Sequence, residues 1–252
     1  MMIPLPSVFL DRPIAHRAYH DLSDSRPENS RAAIAAAIAA GYGIEIDLQM
    51  SSDGEAMVFH DYDLRRLSLE SGPIRQRSAR ELAAIPLMGS TETIPTLSEI
   101  LDLVAGRAPL LIEVKDQDGA MGPETGALEE ATGRALAGYE GPVALMSFNP
   151  NSILHLSRRA PDVPRGLTTS AYRPEDWPTL PAATRDRLRE IHDADHVGAS
   201  FISHEATDLD RPRVAALKTD GLAVLCWTIT SPEAEAEARK IAQNVTFEGY
   251  AA

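Results

Sequence analysis

The 252-residue sequence predicts an α/β fold, a (β/α)8 barrel of the TIM type, with residues 1–252 as one domain and 61–95 as a small insertion after the second strand. Three observations carry this expectation. Short β-like runs alternate with helical runs about eight times, and repeated β–α alternation implies a parallel sheet. Eight such units in about 250 residues favour a closed barrel over an open doubly wound sheet. No Gly-x-Gly-x-x-Gly motif follows the first run, which weakens a dinucleotide-binding sheet.

Strands are expected near 12–17 (Arg-Pro-Ile-Ala-His-Arg), 43–48 (Gly-Ile-Glu-Ile-Asp-Leu) and 109–114 (Pro-Leu-Leu-Ile-Glu-Val). Further strands are expected near 142–147, 163–168, 198–203, 222–229 and 243–247. The alanine-rich run 30–40 reads as a helix stopped at Gly41. Thr96-Leu97-Ser98-Glu99 is a capping box, and Leu97, Ile100, Leu101 and Val104 follow helical spacing. Asn149-Pro150 and Ser231-Pro232 start two more helices, a cap residue followed by a proline that needs no helical donor. Others are expected near 124–137, 181–192 and 208–219. One segment breaks the alternation. Asp53-Gly54 is a tight-turn signal, and too few residues flank it for a helical crossover. Residues 48–60 therefore read as an antiparallel hairpin that returns His60 roughly opposite Asp47. The stretch 61–95, with Gly72-Pro73 and Pro86, follows as an excursion.

Composition excludes several classes. At 44% hydrophobic the chain can fill a core, and disorder is excluded as the main state. No apolar run approaches the roughly 20 residues that span a bilayer, so no integral membrane segment is expected. The start, Met1-Met2-Ile3-Pro4-Leu5-Pro6, lacks a basic region and does not read as a secretion signal. A single cysteine, Cys226, forms no internal disulfide and fits the reducing cytoplasm. It reads as a small buried residue. The net charge of −13 argues against nucleic acid or an anionic membrane as partner. A small phosphorylated substrate remains open, given local help from a metal ion or basic side chains.

Active sites of such barrels lie at the C-terminal ends of the strands, so polar residues there carry the functional reading. Glu45 and Asp47 are two apart on a strand and share a face. Two carboxylates at a barrel rim repel each other unless a cation lies between them. Glu113 on the next barrel strand adds a third oxygen donor. Hard carboxylate ligands suit Mg²⁺ or Ca²⁺ better than zinc. A solvated strand edge is the plain alternative for Glu45-x-Asp47 alone. His16 and His60, ending a strand and the hairpin, are placed for acid–base work near neutral pH, or for structural hydrogen bonds. Arg17 and Lys115 either grip phosphate or balance the carboxylates. Glu28 can reach the site from the loop after the first strand, whereas Asn29 or Ser30 caps the next helix. Phe148 and Trp227, at strand ends, are either core or pocket wall. His20, His155, His192, His196 and His204 have no matching partners and are expected at the surface or in loops.

In order along the chain stand Ile14-Ala15-His16-Arg17, Pro27-Glu28-Asn29-Ser30 and Gly43-Ile44-Glu45-Ile46-Asp47. Ser52-Asp53-Gly54, Val58-Phe59-His60-Asp61, Ile94-Pro95-Thr96-Leu97 and Ile112-Glu113-Val114-Lys115 follow, then Ser147-Phe148 and Trp227-Thr228-Ile229. This ordered set, spanning nearly the whole chain, resembles the glycerophosphodiester phosphodiesterase family. The resemblance implies a TIM-type barrel that hydrolyses glycerophosphodiesters to glycerol 3-phosphate and an alcohol. It implies a divalent cation on Glu45, Asp47 and Glu113, His16 and His60 as the acid–base pair, and Arg17 and Lys115 on phosphate. The nucleophile is then water or the neighbouring glycerol hydroxyl, which first gives a cyclic phosphate. The sequence departs from the family's pattern at Ala18, where Gly is usual, and at Ser51-Ser52, where Thr is usual before x-Asp-Gly. It departs again at Asn244-Val245-Thr246-Phe247-Glu248-Gly249, where the last strand usually ends Thr-Asp and then Pro. Two rival readings remain at this point: a Schiff-base aldolase with Lys115 as nucleophile, and a non-catalytic phospho-ligand binder on the same fold.

Overall fold

The computed structural model describes residues 2–252. The chain opens with a short helix α1 (Val8–Asp11) and a two-residue strand β1 (Ile14–Ala15). Helix α2 (Arg31–Ala40) leads to β2 (Gly43–Met50) and β3 (Ala56–Val58). After α3 (Ala79–Leu82) and α4 (Leu97–Val104) the units repeat: β4 (Leu110–Val114), α5 (Ala127–Leu136), β5 (Val143–Ser147), α6 (Pro150–Arg159) and β6 (Arg165–Thr169). Helices α7 (Ala182–Arg189) and α8 (Asp193–Val197) precede β7 (Phe201–Glu205). The chain ends with α9 (Pro212–Thr219), β8 (Ala223–Ile229), α10 (Pro232–Ala238) and β9 (Asn244–Phe247).

Eight strands pair in parallel, and β1 closes the ring by pairing with both β2 and β9. The fold is a closed parallel barrel with helices around it. Strand β3 lies outside the ring, antiparallel to β2, with Leu48 opposite Val58 and Met50 opposite Ala56. Gly54 turns this hairpin at φ +88°, where a side chain would be strained although a Cβ would touch nothing within 4 Å.

Several elements are shorter than the sequence suggests. The first strand is two residues long, because Arg17 and Ala18 turn left-handed at φ 50° and 66° and carry the chain off the sheet. The helix expected at 181–192 ends at Arg189, and after Ile191 turns left-handed (φ 48°) a second helix, α8, begins at Asp193. The helix expected at 208–219 starts at Pro212, whose ring supplies the first helical φ. The Thr96–Glu99 capping box forms on both sides, and the cap-and-proline starts at Asn149 and Ser231 both form.

Two cores hold the barrel. The larger lies between strands and helices and includes Ile34, Ile46, Ile112, Leu145 and Val224. The smaller fills the barrel interior with Ile14, Leu111, Ala144, Met146, Phe201 and Leu225, and Phe9 of α1 joins it. Packing there is tight: a Cβ on Gly166 would come within 2.5 Å of the Phe201 ring. The 61–95 excursion has its own apolar cluster, Met57, Phe59, Leu64, Ile74, Leu82 and Ile94 among them. That cluster anchors the hairpin carrying His60. Among the described residues, no helix is long and apolar enough to cross a membrane.

Candidate active site

Above the apolar interior layer, the inward-facing residues of β2 and β4 become acidic. Alternation along β2 puts Glu45 and Asp47 on the inner face, and the parallel register sets Asp47 beside Glu113. The three carboxylates are buried, and each offers an oxygen within 4.8 Å of the others. Lys115, one step beyond β4, places Nζ 2.8 Å from Asp47 Oδ1 and 2.6 Å from Glu113 Oε1. The left-handed turn at Arg17 aims its backbone N–H at Glu45 Oε2, 2.8 Å away. The Arg17 side chain donates to Glu28 Oε1 (2.9 Å) and lies 3.7 Å from Asp47 Oδ2.

Two cations thus sit among three buried carboxylates, and the imbalance falls on Glu45. Burial, then the charges of Asp47 and Glu113, push its carboxyl well above the usual range. Asp47 is equally buried, but Lys115, His60 and Arg17 outweigh that and hold it low. The Lys115 ammonium is buried too, yet Asp47 and Glu113 hold it protonated beyond its ordinary range. A cluster of three converging carboxylates that cannot all ionise comfortably fits a hard divalent cation with oxygen ligands.

The two histidines are built alike. His16 Nδ1 lies 2.6 Å from Glu248 Oε2, and His60 Nδ1 lies 2.6 Å from Asp61 Oδ1. The His60 backbone is fixed by the hairpin: Phe59 N–H donates to Asp47 O (3.0 Å), and Gln49 Nε2 donates to His60 O (2.9 Å). Arg66 then clamps Asp61 through two 2.7 Å bonds and Glu28 through bonds of 2.8 and 2.9 Å. Burial pushes His16 down, against the opposing bond from Glu248, and so favours its neutral ring. Glu248 itself is held low, first by its bond to His16 and then by His20.

A cavity of about 220 Å³ lies over these groups. His16, Arg17, the acidic cluster, His60 and Lys115 line one side, and Met146, Phe148 and Trp227 face them. Phe148 and Trp227 meet edge to face with centroids 5.6 Å apart, and Trp227 Nε1 donates to Ser203 O at 3.0 Å. Both aromatics wall the cavity. Glu28 lies behind Arg17, outside the lining, with its oxygens taken by Arg17 and Arg66. Ser30 caps α2 (Ala33 N–H to Oγ, 3.1 Å), whereas Asn29 exchanges two bonds with Asp47 across the site.

Sequence reasoning missed several groups. Glu248 stands two residues beyond Thr246, on the same inner face of the β9 run. Thr168, Ser203 and Thr246 put buried hydroxyls without hydrogen-bond partners on the cavity side, each at an inward position. His204, expected in a loop, is fully buried on the outer face of β7, between Thr169 Oγ1 (2.8 Å) and Asp208 (3.3 Å). It pins the turn after that strand. His20, also expected without a partner, lies 3.5 Å from Glu248. His192 and His196 are exposed and His155 is half-buried. Cys226 is buried, which pushes its thiol up to about 12 and leaves it inert.

Residues 16–246 match the Glycerophosphoryl diester phosphodiesterase family. The chain belongs to that family. It is an enzyme, a phosphoric diester hydrolase acting on glycerophosphodiesters. A glycerophosphodiester phosphodiesterase from Caldanaerobacter subterraneus subsp. tengcongensis is 30% identical over 174 residues, covering 65% of this chain and 69% of its own. The Bacillus subtilis protein YhdW is 25% identical over 234 residues, covering 89% and 88%. An Oleispira antarctica phosphodiesterase, solved in complex with the product sn-glycerol-3-phosphate, matches with a TM-score of 0.76 at 26% identity, over 95% of this chain and 93% of its own. The Thermotoga maritima glycerophosphodiester phosphodiesterase shares the fold, with a TM-score of 0.69 at 20% identity over 93% and 92% of the two chains.

Proposed function

We propose that this phosphodiesterase cleaves glycerophosphodiesters such as glycerophosphocholine and glycerophosphoethanolamine to glycerol 3-phosphate and the free alcohol, using a divalent cation and the pair His16 and His60. The observation that carries the reading is the pairing of two imidazoles, each with Nδ1 on a carboxylate, around one cavity that also holds three converging acidic side chains. Mg²⁺ or Ca²⁺ held by Glu45, Asp47 and Glu113 supplies Lewis-acid neutralisation of the phosphate charge.

The chain's own groups do the rest. Arg17 and Lys115 hold phosphate oxygens, with Glu28 and Arg66 fixing Arg17 from behind. Phe148 and Trp227 form the apolar wall of the substrate pocket. A carboxylate at Nδ1 leaves Nε2 of each ring as the working atom. One Nε2 takes the proton from the attacking hydroxyl, and the other gives its proton to the departing alcohol oxygen as the P–O bond breaks. The attacking hydroxyl is water or the substrate's own glycerol hydroxyl, and a cyclic glycerol phosphate in the reaction mixture distinguishes them.

The Schiff-base alternative loses support, because it needs a neutral Lys115 amine and Asp47 and Glu113 keep that amine charged. A purely binding role loses support from the family. We further propose one domain over 1–252, with 61–95 as its insertion, and a cytoplasmic location consistent with one free cysteine. The net charge of −13 supports a small-molecule partner and not nucleic acid. A hydrolysis assay over a panel of glycerophosphodiesters, with chelator and with each cation, tests the reading. Turnover that is unaffected by chelation, or absent with every cation, overturns it.

A further inference from the structure

We propose that Glu248 is the positioning residue of His16: its carboxylate holds the proton on Nδ1 and turns Nε2, as the free acceptor, into the cavity. This deepens the acid–base reading of His16 and rests on it.

The contact follows from the way the barrel closes. Strands β1 and β9 pair in parallel, with Ile14 opposite Thr246 and Ala15 opposite Phe247. The next pair in that register is His16 and Glu248. His16 N–H donates to Phe247 O at 2.8 Å, and Glu248 N–H donates to Ile229 O at 2.9 Å. Both residues are therefore anchored by backbone bonds at strand ends, and neither side chain depends on a mobile loop for its placement. Ile14, in the inner apolar cluster, and Thr246, lining the cavity, fix the face, so two residues further His16 and Glu248 also point inward. Their side chains meet at 2.6 Å. After Glu248 the chain turns away through Gly249 at φ +79°.

A carboxylate only accepts, so a neutral His16 in this contact carries its single proton on Nδ1. Isolated imidazole side chains favour the opposite tautomer, with the proton on Nε2, which would turn a donor towards the substrate. Arg17 and His20 on the turn after β1, and Asp47 on β2, are the other charged or titratable groups facing this ring or its partner. Of these groups, Glu248 alone makes a direct bond to the ring. Asp61 stands in the same relation to His60, but from the neighbouring residue in sequence; Glu248 lies 232 residues from His16 and arrives only because the barrel closes.

The test uses Glu248→Ala and Glu248→Gln in the full chain, with thermal unfolding as a check on folding. The first readout is the ¹⁵N spectrum of His16 in chelator, at a pH where the ring is neutral. The wild type should show protonated Nδ1 and bare Nε2, Glu248→Ala a shift towards protonated Nε2, and Glu248→Gln, which keeps an accepting oxygen, an intermediate state. The second readout is turnover of glycerophosphocholine at saturating cation. Glu248→Ala should lower kcat by about 10–100-fold with KM within about threefold, the usual cost of losing a group that orients a working imidazole, and Glu248→Gln should recover part of it. Wild-type His16 protonated on Nε2, or a tautomer unchanged in Glu248→Ala, overturns the proposal. A tautomer that shifts while kcat stays at the wild-type value upholds the contact and overturns the acid–base role of His16.

Discussion

Glu45→Gln should make the protein more stable without cation and less responsive to it. In the wild type, Glu45 is buried beside Asp47 and Glu113, and its folded carboxyl is held well above its unfolded value. An acid raised in this way gives its full contribution to stability below about pH 4.5, the unfolded value, and loses it as pH rises towards the folded value. At pH 7 without cation the wild type therefore carries a cost that a neutral side chain lacks. Glutamine keeps the shape and the oxygen that accepts from Arg17 N–H and removes the repelling charge. A gain of about 1–4 kcal/mol is expected, the range found when buried charges are replaced by neutral groups of similar shape, and about 2–4 °C in Tm per kcal/mol for a chain of this size. Cation reverses the order. A ligand at 100 times its Kd stabilises the wild type by about 2.7 kcal/mol, and the variant has lost one of three ligands. Thermal unfolding in chelator and in a titration of Mg²⁺ or Ca²⁺ reads both effects. The two melting curves should cross as cation is added, and the difference in chelator should shrink towards pH 4.5. A variant that is less stable than wild type in chelator, or that gains as much from cation, refutes the reasoning.

Other outcomes follow from the same geometry. His16→Ala and His60→Ala should each lower kcat on glycerophosphocholine by about 10²–10⁴, with cation affinity changed less; only the variant lacking the general acid should recover on a diester with a good leaving group, measured by steady-state kinetics. Lys115→Met strips the ammonium from Asp47 and Glu113 and should cost about 3–5 kcal/mol in chelator, part of it regained with cation; denaturant unfolding in the two conditions checks this. Gly54→Ala should cost about 1 kcal/mol through its positive φ alone, because its Cβ meets nothing, so equal stability of the two proteins in denaturant would show that the hairpin turn is not strained.

The part of the site legible in the sequence lies where local signals fix the face. On β2 the alternation Glu45-x-Asp47 and the Asp53-Gly54 turn set side and register within a dozen residues, so the acidic cluster and His60 were readable. The later strands carry no such signal. Strands β5 and β6 are buried on both faces along their whole lengths, as parallel barrel strands are. Without alternation, the expected 163–168 and 198–203 end on Thr168 and Ser203 with nothing to say which face those hydroxyls take, and the second stops one residue before His204. The inward hydroxyls of Thr168 and Ser203, and the outward burial of His204, were therefore not visible. Glu248 was hidden for a different reason. Its partner sits at the other end of the chain, and only closure of the barrel between β1 and β9 joins them.

A chain of net charge −13 that takes an anionic diester needs a local solution, and its two cavity cations do not provide one by themselves. Lys115 is already paired with Asp47 and Glu113, and Arg17 with Glu28 and Asp47. Their positive charge is spent within the protein, and burial, together with the charges of Asp47 and Glu113, still raises the Glu45 carboxyl. A phosphodiester entering this cavity alone would meet Glu45, Asp47 and Glu113 at close range. A divalent cation held by Glu45, Asp47 and Glu113 would reverse that local sign and leave Arg17 and Lys115 to face the phosphate. In the proposed reading the cation is thus required for binding as well as for chemistry. The two ligands then assist each other by equal amounts, because coupling between sites is reciprocal.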